Sequence, residues 1–321
     1  MSLSGKTILI TGGAGFFGKK FVEIVLKNHN PKSIRAYDNR EFAGVEMIRE
    51  IKDDRFRFFL GDVRDKNRLS RAMNGADIVV HAAAIKHIPM CEYNPLEAIK
   101  TNIMGAINVV DAAIDNGIER VMAISTDKAA YPINLYGATK LVAEKIFIQG
   151  NSYVGSRKTI LSCTRYGNVL GSSGSVVPLF EEQKEKGEIT ITDEKMTRFW
   201  ITLEQGVNFV INSIEKMQGG EIFIPKIPSM KITDLAEVVA PGVPKKIIGI
   251  RPGEKLCEVL LTPEESRHTK EFENYFIIEP EFDFWDHDNH KEGKLVSEGF
   301  CYSSDNNKKW LDKDQIKQFL F

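Results

Sequence analysis

Tyr136 and Lys140 stand four residues apart in Y-G-A-T-K, so one turn of a helix would bring the ammonium beside the phenol. A neighbouring positive charge stabilises the phenolate and lowers a pKa that is about 10 unperturbed, which makes Tyr136 a candidate base. Eight residues before Tyr136, Lys128 closes the run S-T-D-K that begins at Ser125. Thr126 can hydrogen-bond an oxygen that Tyr136 deprotonates, while Asp127 and Lys128 add an acid and a second amine. Oxidation of an alcohol needs one base, and the extra pair has the groups for a second proton-transfer step. The plainer alternatives are a solvated pair closing a strand, and a Tyr and Lys that share a helix face by chance.

Such groups need a scaffold, and the chain supplies its signals in order. Residues 6–10 (K-T-I-L-I) are an apolar run that ends in T-G-G-A-G-F-F-G, followed by a helical pattern through Phe21, Val22, Val25 and Leu26. Strand, glycine turn, helix is the opening of a dinucleotide fold. Gly12, Gly15 and Gly18 leave bare backbone where a pyrophosphate can approach the helix N-terminus, with Ala14, Phe16 and Phe17 completing the turn. A second strand over 33–38 ends in Asp38, whose carboxylate can accept from both ribose hydroxyls and favours NAD. Asn39 and Arg40 follow, and an arginine that stacks on adenine or reaches a 2′-phosphate tolerates NADP. The cofactor reading is therefore NAD or NADP.

A third strand over 56–60 leads to Asp62 and Val63 at the adenine edge, Asp62 serving alternatively as the cap of a helix over 66–73. The fourth strand, 78–84, has small residues such as Ala82 that leave room for a cofactor, and the loop after Lys86 faces the site. A helix from about 96 to 116 carries Thr101 and Asn102. The fifth strand, 120–125, then delivers residues 125–128 at its carboxyl end, where open α/β sheets bind ligands. Another strand begins at 161. Beyond it the alternation weakens into a loop over 171–178, a helix from near Thr202, a strand over 221–225 and an amphipathic stretch over 310–321. The pattern predicts an α/β fold, a doubly wound parallel sheet with a smaller C-terminal substrate-binding lobe. Residues 1–168 form the dinucleotide-binding domain, to which the strand near 221–225 returns, and 169–321 are mainly the lobe.

With 43 basic and 44 acidic residues and a net charge of −1, the composition gives no reason to expect nucleic acid or a membrane as partner. The longest apolar runs fall far short of the roughly 20 residues of a spanning helix. The opening residues have no signal-peptide character, and four scattered cysteines fit a reducing compartment, so the expectation is cytoplasmic. The D-H-D-N-H run at 286–290 reads as a solvated loop and no metal is expected; Trp200, Trp285 and Trp310 read as core.

The glycine turn, the fifth-strand Ser/Thr and Y-x-x-x-K together resemble the extended short-chain dehydrogenase/reductases. A narrower likeness comes from H-A-A-A-I-K-H-I-P at His81, N-P-L-E-A-I-K-T-N-I-M-G at Asn94, S-T-D-K-A-A at Ser125 and N-L-Y-G-A-T-K at Asn134. It continues in R-Y-G-N-V at Arg165, M-T-R-F-W-I-T-L at Met196, I-P-S-M-K-I-T-D-L at Ile227 and I-R-P-G-E-K at Ile250. As a set these resemble the UDP-N-acetylglucosamine 4,6-dehydratases that invert the 5-position, a group that includes the first enzymes of pseudaminic acid synthesis. The resemblance implies a bound nicotinamide cofactor, a UDP-sugar substrate and a homo-oligomer, often a hexamer. It implies that Tyr136 and Lys140 serve oxidation and that Asp127 and Lys128 serve elimination, with Lys128 made neutral by burial and by nearby Lys140. It also implies that Lys86 lies between cofactor and substrate and that Asn168, Val169, Val176, Thr197, Arg251 and Glu254 meet the UDP-sugar. Phe16 and Ser173 stand where the family commonly has serine and arginine, and Asp38, Asn39 and Arg40 replace its frequent Ser-Arg, so its usual NADP preference does not transfer directly.

Overall fold

The structure is a computed structural model and describes residues 3–171, 176–282, 284–285 and 290–320. Six parallel strands, β1 (Thr7–Thr11), β2 (Ser33–Asp38), β3 (Phe56–Leu60), β4 (Ile78–His81), β5 (Arg120–Thr126) and β6 (Ile160–Tyr166), lie in the order β3-β2-β1-β4-β5-β6. This is the doubly wound order of dinucleotide folds, and it opens a crevice where β1 and β4, far apart in sequence, run side by side. β1 and β4 are buried at every position, as expected of strands covered on both faces. Beyond β6 the sheet continues with Ile222–Pro225, then antiparallel Tyr275–Ile278, Thr269–Glu271 and Lys294–Leu295.

Helices α1 (Phe16–Asn28), α2 (Glu41–Glu50) and α3 (Lys66–Met73) make the early crossovers. Asp65, not Asp62, caps α3: its side chain accepts from the Arg68 N–H at 3.0 Å. After β4 the chain runs through α4 (Ile88–Tyr93) and α5 (Pro95–Ile99), then a π-helical turn over Lys100–Met104, then α6 (Gly105–Asp115). The long helix expected there is thus interrupted by one wide turn. It is pinned by Asn102, whose buried side chain accepts from the Ile85 N–H (2.8 Å) and donates to the Ile85 carbonyl (2.9 Å) and Thr139 Oγ1 (3.0 Å).

A second apolar cluster lies in the C-terminal part, around Phe180, Trp200, Met230, Leu235 and Ile316. Its helix Val176–Glu185 starts inside the stretch expected to be loop, because Pro178 falls in the first turn, where the missing N–H costs nothing. Trp200 is fully buried, whereas Trp310 is 38% exposed and donates its indole N–H to the Asn307 carbonyl. Among the described residues no helix is long and apolar enough to cross a membrane. Residues 286–289 and Ser173 lie outside the described residues; His290 Nε2 sits 3.0 Å from a buried Glu221 oxygen.

Candidate active site

The first wall of the crevice is built by glycine. Gly12 has φ +68, and a Cβ there would stand 2.9 Å from the Ala83 nitrogen, so the turn after β1 packs directly on the extended chain after β4. At Gly18 a Cβ would meet the Gly12 and Gly13 carbonyl oxygens at 2.5 Å, which holds α1 tight under the turn. Ala14 donates its N–H to Asp38 at 3.0 Å and fixes the end of β2 beside the glycines. Asp38 also takes Arg40: Nε donates to one carboxylate oxygen (3.0 Å) and Nη2 to the other (2.9 Å). Asn39 donates to Asp62 at 3.1 Å, so the ends of β2 and β3 are tied at the adenine edge of the expected cofactor site.

The reactive groups stand on the opposite wall. β5 ends in Thr126, and a tight 3₁₀ turn over Asp127–Ala129 follows, leading to α7 (Leu135–Gly150). Asn134 caps α7 by accepting from the Gly137 N–H at 2.8 Å, which sets Tyr136 in the first turn. Gly137 has to be glycine, because a Cβ would lie 2.2 Å from the Lys128 carbonyl oxygen. That contact brings Lys128 and Tyr136 into one site.

Both walls enclose a cavity of about 1060 Å³. It is lined by Gly12, Gly15, Phe16, Phe17, Gly18, Asp38, Asn39, Arg40, Asp62, Val63, Ala82 and Lys86 on one side, and by Thr126, Lys128, Tyr136, Lys140, Asn168, Val169, Arg251 and Glu254 on the other. Asp127 sits behind Lys128, fully buried, with Oδ1 accepting from Thr126 Oγ1 (3.0 Å) and Lys128 Nζ (3.1 Å). Val176 and Thr197, expected at the sugar, are not at this cavity. Val176 packs on the second apolar cluster, and Thr197 is buried with Oγ1 2.8 Å from Ser304 Oγ. Sequence reasoning missed Thr101, Ile85 and Tyr166 as lining residues; pairing of Thr126 with Tyr166 across β5 and β6 brings the last of these in. It also missed Glu258.

The electrostatics depart from expectation at two points. Lys140 donates to the Ile124 carbonyl at 2.6 Å and its pKa is lowered by burial, and Lys128 is the leading charge that acts on Tyr136. Burial pushes the Tyr136 phenol up to about 12, against the opposing pull of Lys128 and a hydrogen bond with Thr126. Lys128 was expected to be neutral. Burial does act in that direction, but Asp127 at 3.1 Å and Glu258 at 3.2 Å outweigh it and raise its pKa, so the amine rests as an ammonium. Asp127 is raised by burial, with Lys128 opposing and Glu258 adding to the rise.

A cradle of bare glycines, a carboxylate at the end of β2 and a basic wall fit a dinucleotide. Ser125 Oγ, buried at the cavity with no hydrogen-bond partner among the described residues, is a polar group that such a ligand would satisfy. Fold and site together define an α/β enzyme of the extended short-chain dehydrogenase/reductase type. Residues 8–280 match the family described as "Polysaccharide biosynthesis protein", and the chain belongs to that family. It is 52% identical over 98% of its length, and 97% of the relative's, to a UDP-N-acetylglucosamine 4,6-dehydratase (inverting) from Campylobacter jejuni. It is 41% identical to a UDP-glucose 4-epimerase from Rickettsia canadensis, over 85% of this chain and 82% of that one. The X-ray structure of Pen from Bacillus thuringiensis superposes with a TM-score of 0.92 at 38% identity, covering 99% of this chain and 98% of that chain.

Proposed function

We propose that the protein catalyses the 4,6-dehydration of UDP-N-acetylglucosamine with inversion at carbon 5, giving a UDP-2-acetamido-2,6-dideoxy-L-arabino-hexos-4-ulose. The observation that carries this reading is the Asp127–Lys128 ion pair, 3.1 Å long, at the carboxyl end of β5 in the same site as Tyr136. A 4-epimerase on this scaffold needs Tyr136 and Lys140 but has no use for an acid and an amine after Thr126.

NAD or NADP would be held by Gly12, Gly15 and Gly18, with Asp38 and Arg40 at the adenosine ribose and Lys140 at the nicotinamide end. When bound, it would supply the hydride chemistry, oxidation at carbon 4 of the sugar and return of hydride at carbon 6. Tyr136, once ionised with Lys128 as the cation that favours its phenolate, takes the proton of the 4-hydroxyl, and Thr126 orients that oxygen. The 4-ketone acidifies the hydrogen on carbon 5. Lys128 first passes its ammonium proton to Asp127; as a neutral amine it then removes that hydrogen, and Asp127 gives the proton to the departing 6-hydroxyl, which leaves as water. Reprotonation of carbon 5 from the opposite face completes the inversion. Lys86, Asn168, Val169, Arg251 and Glu254 meet the UDP-sugar. The protein acts in the cytoplasm and as a homo-oligomer, and the exposed apolar Met90, Tyr93 and Leu96 on α4 and α5 supply a face for a second copy.

Incubation with UDP-N-acetylglucosamine and proton NMR of the sugar ring tests the reaction. The expected product lacks one water and shows the L-arabino configuration; a product that keeps its 6-hydroxyl would mean epimerisation. In deuterated water Lys128→Ala is expected to lose about 100-fold or more in dehydration. Wild-type rates with deuterium at carbon 5 would rule Lys128 out as the base.

A further inference from the structure

We propose that Glu258 is a positioning residue of the elimination step, holding Lys128 between two carboxylates and leaving Asp127 as the carboxyl that receives the lysine proton. The inference rests on the reading of Asp127 and Lys128 as acid and base. Glu258 precedes the strand Val259–Leu261 and is far from Lys128 in sequence, yet its Oε1 lies 3.2 Å from Lys128 Nζ and its side chain is 3% exposed. Its backbone is clamped by Ser304, whose Oγ accepts from the Glu258 N–H (3.0 Å) and whose N–H donates to the Glu258 carbonyl (2.8 Å). A carboxylate so fixed does not drift with the lysine. It sets where Nζ sits.

The two carboxylates are not equivalent. Glu258 has further cations nearby, Lys255 Nζ at 3.5 Å and Arg198 Nε at 4.0 Å, and keeps them if Lys128 loses its charge. Asp127 is fully buried and its Oδ1 depends on Thr126 and Lys128; one oxygen of each carboxylate, Asp127 Oδ2 and Glu258 Oε2, finds no hydrogen-bond partner among the described residues, so it is the neighbouring cations that separate the two. A proton leaving Lys128 therefore goes to Asp127, away from the carboxylate that stays compensated, while Glu258 holds the amine where Asp127 can take it. The balance closes. The Nζ–H bond breaks and an Asp127 O–H bond forms, which gives the neutral amine and the protonated acid together. The amine takes the carbon 5 hydrogen, the electrons of that bond form the carbon 5–carbon 6 double bond, and the carbon 6–oxygen bond breaks as Asp127 passes its proton to the hydroxyl. One water leaves and the original ion pair is restored.

The test uses the enzyme with its cofactor bound and the variants Glu258→Gln and Glu258→Asp. For Glu258→Gln, kcat is expected to fall at least ~10-fold with KM within a factor of about three, because Glu258 does not touch the substrate. In a single turnover the absorbance of the reduced nicotinamide is expected to build up, since oxidation at carbon 4 continues while elimination lags. Trace acylation by acetic anhydride, read at Lys128 by peptide mass spectrometry without substrate, is expected to be faster in Glu258→Gln. Glu258→Asp is expected to fall between the two in both measurements. Unchanged kcat and acylation in Glu258→Gln would overturn the proposal. A lower kcat with no build-up of the reduced cofactor and unchanged acylation would also overturn it, leaving a purely structural role. Should Glu258→Gln not fold, Glu258→Asp with wild-type kcat and acylation would overturn it equally. If the wild type forms no dehydrated product, the functional reading fails by itself, and acylation still decides whether Glu258 governs Lys128.

Discussion

Asp38, expected at the ribose end of the site, has its acceptors already occupied. A carboxylate has about four lone-pair directions. Here the donors are the Ala14 N–H, the Arg40 N–H, and Arg40 Nε and Nη2. For both ribose hydroxyls to bind Asp38, the Arg40 side chain has to leave; with Arg40 in place the carboxylate is neutralised and a 2′-phosphate is no longer repelled. Replacing Arg40 by Ala is therefore expected to tighten NAD and weaken NADP, each by about tenfold, the worth of one charge-assisted hydrogen bond. Titrating stripped enzyme with each dinucleotide by fluorescence measures the ratio, and an unchanged ratio would place the pair away from the ribose. Asp38 was legible in the sequence because the strand–turn–helix spacing points to it. That Arg40 would fill its acceptors was not, since only the fold shows which way a side chain two residues on turns back. The charge of Lys128 was hidden for the same reason: Asp127 is adjacent in the chain, but Glu258 arrives through a distant strand.

At the scale of elements, the site depends on how the loop after β4 is held against α7. The π-helical turn at Lys100–Met104 rotates the helix so that Thr101 lines the cavity while Asn102 points into the protein and brackets Ile85. Asn102→Ala leaves the part-buried Ile85 N–H unpaired and its carbonyl with only the weak Cys91 Sγ donor at 3.5 Å, and this is expected to cost about 1–3 kcal/mol in stability. Because Ile85 immediately precedes Lys86, KM for the sugar nucleotide is expected to rise more than kcat falls. Steady-state kinetics beside chemical denaturation check both effects; full stability would show that the turn is held without the asparagine. β2 and β3 were readable to the residue, because both lie between polar turns, whereas the fourth strand, expected over 78–84, ends at His81 and the small residues after it run on as extended loop. The wide turn left no trace in hydrophobic periodicity, because one extra residue shifts the pattern by less than the pattern's own irregularity. The helix at Val176 was masked by Pro178, which reads as a breaker unless the first turn is already known.

For the whole molecule, the question is what fixes the C-terminal segments to the parallel sheet so that Arg251 and Glu254 line the cavity and Glu258 meets Lys128. A buried arginine does much of this. Arg165, at 1% exposure on β6, gives Nε and Nη2 to Glu144 of α7 (3.0 and 2.7 Å), Nη1 and Nη2 to Glu265 (3.0 and 2.8 Å) and Nη1 to the Leu260 carbonyl (3.0 Å). One guanidinium thus joins the helix that bears Tyr136 to the strand that follows Glu258. Burial acts to raise the Glu265 pKa, but Arg165 overrides it and the carboxyl lies below its ordinary 4.5. A folded-state pKa below the unfolded one gives stability that is present above about pH 4.5 and is lost as pH falls through the folded value. Arg165→Met would leave two carboxylates facing each other across a dry contact, and the expected loss at neutral pH is about 3–5 kcal/mol. Mild acid should narrow that gap, because Glu265 without its cation protonates more readily while the wild type begins to lose its pairing. Urea unfolding of both proteins at neutral and mildly acidic pH gives the comparison, and a gap that stayed constant with pH would mean that Arg165 contributes by packing alone.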